Sequence, residues 1–238
     1  MIYRTIVSYG GEMTNFFCTL WGNKYGIEYV QNLYNAVQRN YEGDFNFYCQ
    51  TDRELCIDGV HQLPFGKYKP IMDSRFPDKP KLNFWEPTCW GISGRKVFLD
   101  LDVVILGNLN SIVELYSGRP IINKSWWKED QGIEIDHIAY SALTNGSIYV
   151  WEDTEYTKVI WEHVNKYDKF IFFTCVAGSD NYLTTFHLDK FDFVPRDKVF
   201  SYHNEDSIPN AVLCTVETVS DEKEIHQMNS WIKERWNG

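Results

Sequence analysis

The sequence predicts an α/β fold, in which a central, mostly parallel mixed sheet is flanked by helices. Strand-type and helix-type segments follow one another near the N-terminus, the order that a strand-helix-strand unit requires. A Val- and Ile-rich run between Arg95 and Gly107 has the continuous apolar character of a strand covered on both faces. The chain of 238 residues is 44% hydrophobic and 16% aromatic, enough for a sizeable core within one domain. We therefore expect a single domain over 1–238.

Residues 2–8 read as a first strand, and an irregular loop follows. Ile27 to Asn40 places Val30, Leu33, Tyr34 and Val37 at i, i+3, i+4, i+7, an amphipathic helix. Phe45 to Gln50 is the next strand, ending in Thr51-Asp52. Residues 64–80 are rich in Pro, Lys and Gly and read as a loop, after which Lys81-Leu-Asn-Phe-Trp begins a short helix. The Arg95–Gly107 run is the central strand. Asn110–Tyr116 reads as a helix, Pro120–Asn123 and Ser147–Val150 as strands. Asp153–Tyr167 reads as a helix with Asp153 or Thr154 as N-cap and Val159, Ile160, His163 and Val164 on one face. After a less regular stretch, Asp221–Trp236 has Ile225, Met228, Ile232 and Trp236 at helical spacing.

The net charge of −10 argues against a protein that wraps nucleic acid or clings to anionic lipid, because both repel an acidic surface, and leaves room only for local basic sites facing a diphosphate. Cys18, Cys49, Cys56, Cys89, Cys175 and Cys214 form no metal or disulfide spacing and read as free, mostly buried thiols. No stretch has the length and apolarity of a signal peptide or spanning helix, so the expectation is a soluble, cytoplasmic protein with no integral membrane segment.

Asp100-Leu101-Asp102 carries the chemistry. Two carboxylates one residue apart inside an apolar run are costly to bury unless a cation compensates them, and oxygen ligands of this kind suit Mg²⁺ or Mn²⁺. In an extended strand both would point the same way, so a strand end that bends is the natural geometry. The bland alternative is a solvated strand-end pair. A hydrophobic strand ending in Asp-Leu-Asp also opens phosphohydrolases of the haloacid dehalogenase type, but Val103-Val104 follow here in place of a small polar pair.

Beyond this pair, an ordered set of segments resembles the glycosyltransferases with the GT-A fold, in particular short bacterial and viral members. It comprises Leu20-Trp-Gly-Asn-Lys-Tyr-Gly, Phe47-Tyr-Cys-Gln-Thr-Asp52, Lys81-Leu82 ahead of Phe84-Trp85, Val97-Phe-Leu-Asp-Leu-Asp-Val-Val-Ile-Leu-Gly, Asn145-Gly-Ser-Ile-Tyr-Val-Trp151, Ser179-Asp-Asn-Tyr-Leu183 and Phe200-Ser-Tyr-His203. The resemblance implies a UDP- or GDP-linked sugar donor, a glycan or other hydroxyl acceptor, and Mn²⁺ or Mg²⁺ at Asp100 and Asp102, with a nucleotide-binding part at about 1–105 and a donor-sugar and acceptor part at about 106–238 of the single domain. It places Leu20, Trp21 and Tyr25 over the base, with Trp21 or Tyr25 stacking. Asp52, Lys81 (or Lys79), Asp100 and Leu101 would lie against the nucleotide, and Asn145, Gly146 and Ser147 would line the donor sugar. Asp180 becomes the acid near the reaction centre, a base if the enzyme inverts; as a sequence feature it equally suits a helix N-cap.

Many members of that family end in a His-Gly-x-Pro-Lys-Pro segment whose histidine completes the metal site and whose lysine holds phosphate, whereas residues 213–224 here read Leu-Cys-Thr-Val-Glu-Thr-Val-Ser-Asp-Glu-Lys-Glu. The third ligand is then His226, His203 or Glu217, with His226 preferred, and Lys223 can replace the phosphate lysine. A phosphohydrolase and a nucleotide-sugar-binding module without turnover remain the competing readings.

Overall fold

The computed structural model describes residues 13–71, 76, 78–130, 142–176, 178–202, 210–216 and 230–237. The expected first strand at 2–8 and the candidate ligands His203, Glu217, Lys223 and His226 lie outside them, as does most of the expected terminal helix.

Among the described residues ten strands form two sheets. They are β1 (Thr14–Leu20), β2 (Phe45–Thr51), β3 (Val60–Leu63), β4 (Lys96–Leu99), β5 (Val103–Ile105), β6 (Ile121–Lys124), β7 (Thr144–Trp151), β8 (Asp192–Phe193), β9 (Val199–Ser201) and β10 (Leu213–Thr215). The large sheet has seven strands in the order β3-β2-β1-β4-β7-β6-β8, and the small one runs β5-β10-β9. Pairing is parallel from β3 through β4; β7 runs antiparallel to both β4 and β6. The predicted fold class, a mixed and mostly parallel sheet flanked by helices, is the one observed.

The helices are α1 (Ile27–Asn40), α2 (Asn110–Val113), α3 (Trp126–Asp130), α4 (Glu155–Thr174), α5 (Ser179–His187) and α6 (Ser230–Asn237), with a 3-10 helix at Lys79–Trp85. α1 matches its predicted span and buries Val30, Leu33 and Val37 as its spacing requires. α4 has Thr154 at its N-cap, where the Thr157 hydroxyl accepts the Thr154 N–H at 3.0 Å. It runs beyond the predicted Tyr167 to Thr174, bending at Tyr167 (φ −122°, ψ 23°). Val159, expected on its buried face, is exposed. Among the described residues no helix is long and apolar enough to cross a membrane.

The sheet alternation divides the core into two layers. Phe16, Cys18, Leu20, Val97, Leu99, Ile148 and Val150 face one side, with α1, α6 and the small sheet. Phe17, Phe98, Tyr149 and Trp151 face the other, against Leu82, Phe84 and Trp85 of the 3-10 helix and Ile160 and Val164 of α4. The second layer is aromatic: Phe84 lies 4.9 Å from Phe98, and Trp85 lies 5.1 Å from Tyr149.

Two sequence expectations are corrected. The loop placed between residue 8 and α1 contains β1, whose 14–20 segment occupies the middle of the sheet. The expected single strand from Arg95 to Gly107 is two strands in different sheets, because the chain turns at Asp100–Val103 and β5 leaves to pair with β10.

Candidate functional site

The carboxyl ends of β1, β2 and β4 lie side by side at one edge of the large sheet, since all three are parallel and Leu20 stands opposite Thr51. That edge is where open α/β sheets hold their ligands. Three chain segments meet there: the turn after β4, the irregular middle of β7, and the first turn of α5.

The turn is closed by the Val103 N–H on the Asp100 carbonyl at 3.3 Å, and the Asp100 N–H extends the β4–β7 ladder onto the Ser147 carbonyl at 3.0 Å. Leu101 is buried in the α1-side core, so the turn is pinned by its middle residue. Asp100 accepts the Lys81 ammonium at 2.8 Å, and Asp102 accepts the Tyr25 hydroxyl at 2.6 Å. The bend expected for two carboxylates at a strand end is present. They diverge to different partners yet still feel each other's charge.

In β7 the register against β6 shifts between Ile122 and Asn123, so that Asn145-Gly146-Ser147 bulges. Asn145 holds the bulge, its Oδ1 accepting the Ser147 N–H at 3.1 Å and the Asn123 amide at 3.2 Å. Gly146 is the point of closest approach. A methyl group there would stand 2.6 Å from the Tyr149 hydroxyl, 2.7 Å from Asp180 Oδ1 and 3.2 Å from Lys81 Nζ. Gly146→Ala is therefore expected to push Asp180 and Lys81 apart, which crystallography or a loss of ligand-induced thermal shift would register. An unchanged shift would count against this packing.

Asp180 sits in the first turn of α5 but does not cap it; the N-cap position belongs to Gly178. The capping role falls to Asp78, which accepts the Ser179 N–H at 2.9 Å and also the Ser179 hydroxyl. The sequence did not single out Asp78, whose partner is 101 residues away. Tyr149 was likewise missed, and nothing distinguishes its hydroxyl in sequence from any other strand tyrosine.

Electrostatics follow from three carboxylates sharing one ammonium. Burial pushes Asp180 up to about 7, against Lys81 and the Gly146 N–H, with Asp78 and Asp100 adding to the rise. Asp100 is raised to about 6, by burial first, with Lys81 opposing and Asp102 adding. Burial lowers the proton affinity of Lys81, but Asp100 and its neighbours outweigh it and hold the ammonium well above the ordinary range. One oxygen of Asp180 is buried without a hydrogen-bond partner. Such an excess of buried negative charge favours a further cation or a proton.

The other predicted residues distribute as follows. Tyr25 lies in the site through Asp102, and the Arg53 guanidinium ties its carbonyl to the end of β2 at 3.0 Å. Leu20 is the last residue of β1 and is buried, Trp21 follows it half-buried, and Asp52 is exposed beyond β2. Of the two lysines, Lys81 reaches the carboxylates while Lys79 lies over the Phe172 ring at 3.9 Å. His226 is outside the described residues, among which no three His, Cys, Asp or Glu side chains group as a metal site.

No protein-family model matches this sequence, and no curated protein matches it by sequence. Its fold does match solved structures. The glycosyltransferase GlyE of Streptococcus pneumoniae superposes over 95% of this chain with a TM-score of 0.64 at 11% identity. This chain spans 60% of the length of that GlyE chain. An active-site variant of LgtC covers 85% of this chain and 86% of its own, with a TM-score of 0.53 at 11% identity. Mouse xyloside xylosyltransferase 1 covers 87% and 98%, with a TM-score of 0.51 at 11% identity. The chain thus shares a GT-A-like fold with these solved structures.

Proposed function

We propose that this protein transfers a sugar from a UDP- or GDP-linked donor to a hydroxyl acceptor, a glycan by preference, with Mn²⁺ or Mg²⁺ at Asp102 and Asp100. The reading is carried by one observation: Asp100, Lys81, Gly146 and Asp180 converge at the carboxyl edge of a GT-A-like sheet. A fold alone does not assign an activity, so the weight rests on that convergence.

The donor set fits the ion. Asp100 and Asp102 are hard oxygen ligands that would hold such an ion, with phosphate oxygens and water supplying the remaining ligands, so two protein carboxylates are sufficient. Bound there, the ion would supply Lewis-acid stabilisation of the charge that develops on the leaving diphosphate.

The remaining roles belong to the chain's own groups. Lys81 stands by Asp100 as the cation that also faces the diphosphate. Trp21 and Tyr25 border the base, and Asp52 at the end of β2 faces the ribose. Gly146, with no side chain, lets Asp180 and Lys81 come against the backbone of the bulge, beside which Asn145 and Ser147 would present polar edges to the donor sugar's hydroxyls. Asp180 stands against Gly146; with its proton affinity near neutrality, it suits exchange of the acceptor proton, as base in an inverting reaction. The transition state is oxocarbenium-like, as in other glycosyl transfers.

Against the phosphohydrolase reading stands the buried continuation Val103-Val104 into β5, which offers no hydroxyl to a phosphate. A thermal-shift screen of nucleoside diphosphates with and without Mn²⁺ tests the proposal. A metal-dependent rise in melting temperature with UDP or GDP is expected, followed by hydrolysis or transfer of the matching sugar donor. Stabilisation without turnover would leave a binding module, and no stabilisation by any diphosphate would end the reading.

A further inference from the structure

The outer face of α4 is at odds with a buried helix. After the bend at Tyr167, Phe170 and Phe173 are 57% and 71% exposed, and Tyr167 itself is 44% exposed. Lys166, Lys169, Phe170 and Phe173 stand at i, i+3, i+4, i+7, so cations and aromatic rings share one stripe, while Ile171 and Phe172 turn inward. The Lys166 ammonium lies 5.0 Å from the Tyr167 ring centroid.

A second segment lies alongside. The loop 64–71 is tied to α4 by the Lys67 ammonium and the Tyr68 hydroxyl, both on Asn165, and by the Tyr68 ring packed on Trp161 and Phe172. It adds exposed Lys67 and Lys69 and the 51% exposed Ile71. Residues 64–71 and 162–174 together hold four lysines against two carboxylates, Glu162 and Asp168, a local reversal of the net charge of −10 from which no attraction to anionic lipid was expected. Basic side chains are thus concentrated where large apolar side chains are left in water, the composition of a surface that lies on an anionic bilayer.

We propose that this face docks on a membrane leaflet rich in anionic lipid, with Phe170, Phe173 and Ile71 entering the headgroup boundary and Lys67, Lys69, Lys166 and Lys169 meeting the charges. The face adjoins the candidate active site. Phe76 and Lys79 pack on Phe172 of α4, and Lys79 opens the 3-10 helix that carries Lys81. The far end of α4 leads to α5 and Asp180. Docking would hold the cleft close to acceptors displayed at the bilayer surface, while the docking itself does not depend on the sugar-transfer reading.

Flotation with vesicles of phosphatidylcholine alone, or with phosphatidylglycerol added, tests it on the full chain. The protein is expected to float with the anionic vesicles at low salt, to stay behind with the neutral ones, and to be released at high salt. K166E/K169E should weaken binding at least about twenty-five-fold, from the loss of roughly fivefold per lysine. F170S/F173S should weaken it about tenfold at unchanged salt dependence. Both variants should keep the wild-type melting temperature and diphosphate response, because neither touches the cleft. Wild-type protein that ignores anionic vesicles at low salt overturns the proposal, as do variants that float like the wild type. Variants that change only the oligomeric state overturn it as well, since a second copy would then be what covers the face.

Discussion

Asp102→Ala is expected to abolish the manganese-dependent stabilisation by UDP or GDP and to lower transfer by about a thousandfold, roughly 4 kcal/mol of transition-state stabilisation. The size follows from what the carboxylate would do. The leaving diphosphate gains charge as the sugar departs, and a ligand that holds the compensating cation acts most strongly at that moment. Asp102 also accepts the Tyr25 hydroxyl, so the substitution removes a structural bond as well. Tyr25→Phe separates the two effects. It deletes the same hydrogen bond, worth about 1 kcal/mol, and leaves the carboxylate in place. Metal-dependent stabilisation should survive in Tyr25→Phe and vanish in Asp102→Ala, as read by calorimetry with UDP, GDP and Mn²⁺. If both behave alike, Asp102 is a structural acceptor only.

Asp180→Asn should reduce transfer at least about a hundredfold, the usual worth of a proton-exchanging group, with little change in diphosphate affinity. Its second signature is in stability. Burial holds the folded-state pKa of Asp180 near 7, above the ordinary carboxylate value, so the folded protein binds this proton more tightly than the unfolded chain. The associated stabilisation is present at about pH 4 and is lost as pH rises through about 7, with a slope of up to about 1.4 kcal/mol per pH unit. Asparagine cannot ionise. The variant is therefore expected to melt higher than the wild type at pH 8 without ligand, and to show a flatter pH dependence between about 5 and 7. Asp100, raised to about 6, contributes the same sign over a lower window and remains in the variant. A variant that is less stable at pH 8 and equally active would remove Asp180 from the reaction and leave it a packing residue.

Both predictions start from residues visible in the linear sequence, and the reason is physical. A pair of carboxylates inside an apolar strand is costly without a cation, so Asp100 and Asp102 declare themselves before any fold is known. α1 does the same through its helical spacing, and its predicted and observed limits agree. Local pattern failed where local pattern is ambiguous. β1 is buried along nearly its whole length as a central parallel strand, so it lacks the in-out alternation that marks a half-exposed one. The apolar run after Lys96 gave no sign that β4 and β5 serve different sheets, because both are equally buried and hydrogen-bond partners do not leave a mark on hydrophobicity.

The fold class, the carboxylate pair and the order of the segments that resemble a glycosyltransferase are all legible along the chain. How those segments meet is a matter of packing. Packing chose Lys81 over Lys79, since the backbone of the 3-10 helix turns the former toward Asp100 and the latter onto Phe172. It gave the cap of α5 to Asp78 and so released Asp180 to face Gly146. The exposed aromatic stripe of α4 belongs with these, since it lies beyond the predicted end of the helix at Tyr167 and only packing leaves that face uncovered. Proton affinities, gaps of a methyl group and uncovered faces arise from contacts between residues far apart in the chain, and spacing along the sequence carries no record of them.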